Sequence, residues 1–142
     1  MGLLDKILSR TPDYPELEQS SREYKQLDEH RADIEKITKE VTENIEVVLS
    51  DSGFFVLIGK PPSNFGFEWV ENNELRNFKS LVEAKKVNPI RMERIVDRLS
   101  DAYKASKDAP RFKASVGEHE VVITRSDDLA AALKQEIDKL SA

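Results

Sequence analysis

Acid–base catalysis recruits histidine before any other side chain, and this chain offers two: His30 in the acidic run "DEHRAD" and His119 in "GEHE". His30 and Asp33, or Glu29 and Asp33, stand about one helical turn apart, a spacing that can share a cation. No third or fourth ligand accompanies them, so a solvated helix face is expected instead, and His119 reads as a turn residue. Neither histidine has a triad partner at a recognisable spacing. The absence of cysteine excludes disulfides, thiol catalysis and thiolate metal sites together. Phosphate cradling fares no better, because Gly2, Gly53, Gly59, Gly66 and Gly117 are scattered rather than clustered. The Gly59–Lys60 pair is followed by Pro61 and Pro62, which remove amide donors where a phosphate would need them, so "KPPSN" reads as a hairpin loop. No catalytic residue, metal site or cofactor is therefore expected, and the chain reads as not an enzyme. An enzymatic alternative would need acids such as Glu68 and Glu71 to converge in a cleft with shifted pKa values.

Three patterns remain that could bind rather than react. Arg91, Arg94 and Arg98 recur at spacings of three and four after the sharp turn "KKVNP", which makes a nucleic-acid-associated regulator the alternative function. Glu93 and Asp97 on the same helix, and a net charge of -5, oppose counterion release at phosphates. A solvated basic face, or one answering the acidic N-terminal helix or an acidic partner, is preferred, and nucleic acid is the lesser expectation. The second pattern is Leu3, Leu4, Ile7 and Leu8 at helical spacing, an amphipathic segment for docking onto protein, either the chain's own core or another chain. Peripheral membrane association through residues 1–10 is the third functional alternative, with marginal affinity from so few apolar and basic groups. Lys6 stands where myristoylation would want a hydroxyl. The last pattern is "FGFEWVE", which sends Phe65, Phe67 and Trp69 to one face of a strand. Core packing is the preferred reading and a partner-covered face the functional one; exposure of Trp69 separates them.

The elements that must position these groups follow from periodicity and caps. Residues 1–19 form the amphipathic segment and a proline-rich linker, and residues 20–142 a single domain. Ser20 and Glu23 have capping-box spacing and open a long helix over 21–49, about 43 Å at about 1.5 Å per residue. Its stripe makes Ile34, Val41, Ile45 and Val48 the expected dimerisation seam, with simple packing on the chain's own sheet as the competing reading. "FFVLIG" reads as a central strand and pairs with "FGFEWVE" as a hairpin. A helix over 73–87 turns at Asn88–Pro89 into a second one ending near Ser106. "RFKASV" and "VVITR" give another hairpin, and Ser126 caps a last helix.

The fold expected is α+β: an antiparallel sheet of about four strands in two hairpins, with a long N-terminal helix, a central helix pair and a C-terminal helix. In size, charge and general element order the chain resembles small acidic α+β dimers that act as secretion chaperones or adaptors, and that resemblance implies a chain that binds another protein. The functional expectation is a non-enzymatic protein–protein interaction module, adaptor or chaperone-like, homodimeric, with an unidentified protein partner. No apolar run approaches the roughly 20 residues that span a bilayer, and a cytoplasmic location is expected.

Overall fold

Residues 41–48 hold β-branched side chains at 41, 42, 45, 47 and 48, and the alternation Ile45, Val47, Leu49 has the period of a strand. In the computed structural model, which describes residues 14–51, 53–72 and 74–141, the strand prevails: Ile45–Ser50 is β1, buried at all six positions. The order along the chain is α1 (Arg22–Glu29), α2 (Arg31–Glu40), β1, β2 (Gly53–Lys60), β3 (Asn64–Glu71), β4 (Glu74–Asn77), α3 (Phe78–Ala84), α4 (Pro89–Ala105), β5 (Arg111–Val116), β6 (His119–Arg125) and α5 (Asp127–Ser141). The strands form one sheet in the order β4-β3-β2-β1-β6-β5, in which β1 and β6 run parallel and every other neighbouring pair antiparallel.

The α+β class holds, but the four-stranded antiparallel sheet and the long N-terminal helix do not. The expected helix breaks at His30, whose backbone (φ -111°, ψ 10°) departs from helical geometry, and stops at Val41, which is extended (φ -125°, ψ 145°). Tyr24 and Leu27 are separated from Ile34 and Ile37 by a gap whose one apolar residue is the small Ala32, so two short helices meet the sheet where one long one would have to overhang it. A stripe at spacings of three and four also supplies alternating apolar positions, and a fully buried central strand gains more from β-branched residues than a helix does. The second correction is at 73–87. Asn72 takes the left-handed conformation (φ 54°) that asparagine tolerates, and it turns β3 back into β4, with Glu71 opposite Glu74. Helix α3 then starts only at Phe78, capped by Asn77, whose side chain accepts the Ser80 N–H at 3.0 Å.

Other expectations are met. β2 is central and pairs with β3 through the 61–63 loop, closed by the Ser63 N–H to the Lys60 carbonyl at 3.1 Å. Gly59 is required there: its φ is 119°, and a Cβ would lie 2.6 Å from the Asn64 carbonyl oxygen. Asn88 caps α4 with Pro89 in its first turn, and Ser126 accepts the Leu129 N–H at the start of α5. The N-cap of α1 is Ser21 rather than Ser20, accepting the Tyr24 N–H at 3.1 Å.

Helices cover both faces of the sheet. On one, Val48, Phe55, Leu57, Phe67 and Trp69 pack beneath Phe78 of α3, Ile95 and Leu99 of α4, and Leu133 and Ile137 of α5. On the other, Ile45, Val47, Leu49, Phe54, Val56 and Ile123 meet Leu27 of α1 and Ile34 and Ile37 of α2. The two edges differ. Along β5, the Lys113 N–H donates to the Pro15 carbonyl and the Leu17 N–H to the Lys113 carbonyl, both at 2.9 Å, so residues 15–17 cover that edge. All four residues of β4 are exposed. No helix among the described residues is long and apolar enough to cross a membrane.

Candidate interaction surface

Two polar clusters stand out, one inside and one outside. The inner cluster centres on Glu46, a carboxylate on the fully buried β1. Tyr103 of α4 donates its hydroxyl to Glu46 Oε1 at 2.6 Å, and Thr124 of β6 donates to Oε2 at 2.5 Å. Arg111 Nε reaches the same oxygen at 3.4 Å. The guanidinium also donates to the Ser106 carbonyl at 2.7 Å and to Ser106 Oγ at 2.9 Å, and it lies over the Tyr103 ring at 5.3 Å. Burial first, then the charge of Glu46, pushes the Tyr103 hydroxyl well above the ordinary tyrosine range, so it remains a donor. A cleft of about 250 Å³ opens beside this cluster between Tyr14, Lys60 and Glu120. Both carboxylate oxygens of Glu46 already have protein donors, and among the described residues no buried side-chain nitrogen or oxygen lacks a hydrogen-bond partner. A cluster with its bonding capacity used internally fixes α4 to β1, β5 and β6 and leaves little for a ligand.

The outer cluster lies on α4 and α5. The spacing of Arg91, Arg94 and Arg98 places them along one side of α4, where they line a groove of about 680 Å³ with Asn88, Ile90 and Lys139. Beneath it sits Glu136, buried at a stripe position between Leu133 and Leu140. Arg98 grips it with both ends of its fork, Nη2 to Oε1 at 2.7 Å and Nε to Oε2 at 3.1 Å, and Lys139 approaches at 3.6 Å. That bond raises the already high pKa of Arg98 further. Arg91 and Arg94 have no ion-pair partner among the described residues. Ile90, at the mouth of the groove, is 68% exposed, the most exposed large apolar side chain among the described residues. The acids of α4 that weakened the sequence signal, Glu93 and Asp97, do not line the groove.

The structure thus brings Arg91, Arg94 and Arg98 together and disperses the other expected site residues. Phe67 and Trp69 lie in the core beneath α3 and α5, Trp69 only 7% exposed, and Phe65 is half-buried against Tyr103. The seam residues do not form a helical face: Ile34 is buried on α2, Val41 is half-buried at its end, and Ile45 and Val48 point to opposite faces of β1. Leu3, Leu4, Ile7 and Leu8 lie outside the described residues. His30 packs on the Phe54 ring at 4.5 Å. No three metal-binding side chains converge among the described residues. Glu68 and Glu71 do not converge either: Glu71 accepts from Trp69 Nε1 at 3.5 Å on the α3–α5 face, while Glu68 is opposite Val56 on the other.

Glu46, Glu136, Lys139 and Ile90 were not singled out from sequence. Two of them left a signal: Glu46 is the one charge inside the buried run "IEVVLS", and Glu136 falls three residues after Leu133 and four before Leu140, on the apolar stripe. Comparison with family models, with curated proteins and with solved structures found no match to this chain.

Proposed function

We propose that this chain is a non-enzymatic protein–protein interaction module, adaptor or chaperone-like, that receives an acidic segment of a partner protein in the α4–α5 groove. The observation that carries the reading is Ile90, an exposed apolar anchor at the mouth of a groove whose Arg91 and Arg94 have no ion-pair partner among the described residues. Interfaces of this kind combine a desolvated apolar contact with charges that steer and orient. An acidic peptide with one aliphatic residue among its carboxylates matches both features.

A second reading, nucleic-acid association, is favoured by the same three arginines, since a row of cations along one side of a helix suits phosphates. The exposed isoleucine has no place in that reading. Fluorescence anisotropy with three labelled probes separates the two: an acidic helical peptide containing leucine, the same peptide with serine in its place, and a short DNA duplex. The leucine peptide is expected to bind best, and Arg91→Glu with Arg94→Glu should weaken it by about tenfold or more. Preference for the duplex, lost on the same charge reversal, would replace the proposal with the nucleic-acid reading.

A further inference from the structure

The two edges of the sheet are finished differently, and the difference points to a second copy of this chain. Residues 15–17 cover β5, whereas β4 ends the sheet, its outer edge unpaired among the described residues and all four of its residues exposed. An open edge presents backbone donors and acceptors to any strand of matching direction. Beside it, Leu75 is 41% exposed and its β3 neighbour Val70 only half-buried, on the face where α1 and α2 pack over β1 and β5.

We propose that β4 is the interface between two copies of this chain, paired antiparallel about a twofold axis at Leu75, so that the sheet of one copy continues into the other. Charge complementarity carries the proposal and selects the register. A twofold axis places side chains of the same sheet face opposite each other, so symmetric pairings are centred on single residues. Centring on Glu74 sets two carboxylates opposite each other, and centring on Arg76 sets two guanidinium groups opposite each other. Centring on Leu75 sets leucine against leucine on the open face and, on the α3–α5 face, each Glu74 against the Arg76 of the second copy. Charged edge residues normally discourage pairing; here Glu-Leu-Arg is self-complementary in one register and repulsive in its neighbours. Within a single copy, Arg76 and Glu74 already approach to 3.5 Å, an exposed pair free to exchange partners. The inference rests on the interaction-module reading in its homodimeric form and adds the surface that would make the dimer.

Sedimentation velocity on the full chain over a concentration series tests it. The wild type should dimerise. Arg76→Glu creates two like-charge contacts in the symmetric pairing and should weaken the dimer by about tenfold or more. Adding Glu74→Arg to that variant reverses both members of each pair and should restore the dimer, while Leu75→Lys should abolish it. Circular dichroism checks that each variant keeps its fold, as exposed positions should allow. A wild type that stays monomeric, a dimer indifferent to Arg76→Glu, or failure of the double reversal would each overturn the proposal. A monomer that still binds the acidic peptide would overturn the edge alone and leave the proposed partner groove standing; a dimer blind to the peptide would do the reverse.

Discussion

Glu46 and the α4 groove are both built from carboxylate, guanidinium and helix α4, yet they differ in what their charges have left to do. Around Glu46 each oxygen has a donor, and Arg111 divides its fork between Glu46 and Ser106. In the groove Arg98 and Lys139 are engaged through Glu136, while Arg91 and Arg94 face solvent beside Ile90. A buried polar cluster survives only when its members satisfy one another, because each unmet group costs its desolvation without return. An exposed cluster has no such obligation, since water satisfies it until something better arrives. The first should therefore register in stability and the second in binding.

Glu46→Ala is the severest test of that division. Removing the carboxylate leaves Arg111, Tyr103 and Thr124 short of a partner in the interior, and the expected loss is about 3–5 kcal/mol. That is a large part of the roughly 5–15 kcal/mol that holds a domain of ordinary stability together. Arg91→Ala and Arg94→Ala should stay within about 0.5 kcal/mol of wild type. Urea denaturation of the three variants decides it: an Arg91 variant destabilised as much as the Glu46 variant would show that the groove is structural after all. Pairing Glu46→Leu with Arg111→Met should recover much of the loss, because the two polar groups are then removed together.

Arg98 sits between the two regimes and should show an intermediate effect. Its partner Glu136 is buried, but Arg98 itself is about half-exposed and Lys139 remains near the carboxylate after Arg98 is gone. Arg98→Ala should cost about 1–2 kcal/mol, less than the loss at Glu46 because water and Lys139 compensate in part. The same variant should also weaken the acidic peptide, since Arg98 lines the groove. A variant that lost binding with no loss of stability would give Arg98 a binding role alone, and the converse would give it a structural role alone.

What was readable in the sequence follows a similar division between local and non-local causes. Caps, turns and hairpins are written in neighbouring residues: Asn88–Pro89, Ser126, Gly117 and the β2–β3 pairing all fall where local chemistry puts them. The basic stripe on α4 was legible for the same reason, as it needs only one helix. Two failures came from signals that local pattern leaves ambiguous. Val41, Ile45 and Val48 match a helical spacing, and only the alternation of Ile45, Val47 and Leu49, with burial on both sides, makes a strand of them. Asn72–Asn73 could end a strand before a helix as well as fold it into a hairpin, and the hairpin adds the edge strand β4. The long-range partners were out of reach: nothing near Arg98 announces Glu136, nor anything near Tyr103 announces Glu46, because the fold brings them together from 38 and 57 residues away.

Glu68 gives the smallest effect and the one whose sign is most informative, because its charge is in neither of the two situations above. On the face of β3 towards α2 it is partly buried, and its charged neighbour is another carboxylate, Glu40. Burial first and then the charge of Glu40 hold its carboxyl above the usual value of 4.5. The folded protein therefore keeps this proton to a higher pH than the unfolded chain does. The stability it contributes is present below the unfolded value and is lost as pH rises through the folded one, so at neutral pH the ionised group works against the fold. Glu68→Gln should accordingly raise the urea midpoint at neutral pH, and the gain should fade at about pH 3, where both forms are uncharged. Glu40→Gln removes only the second cause and should give a smaller gain of the same sign. If Glu68→Gln instead lowered stability at neutral pH, as removing the charge of Glu46 should, Glu68 would have to be paired like Glu46 rather than merely crowded, and the contrast between satisfied and unsatisfied acids would need redrawing on that face.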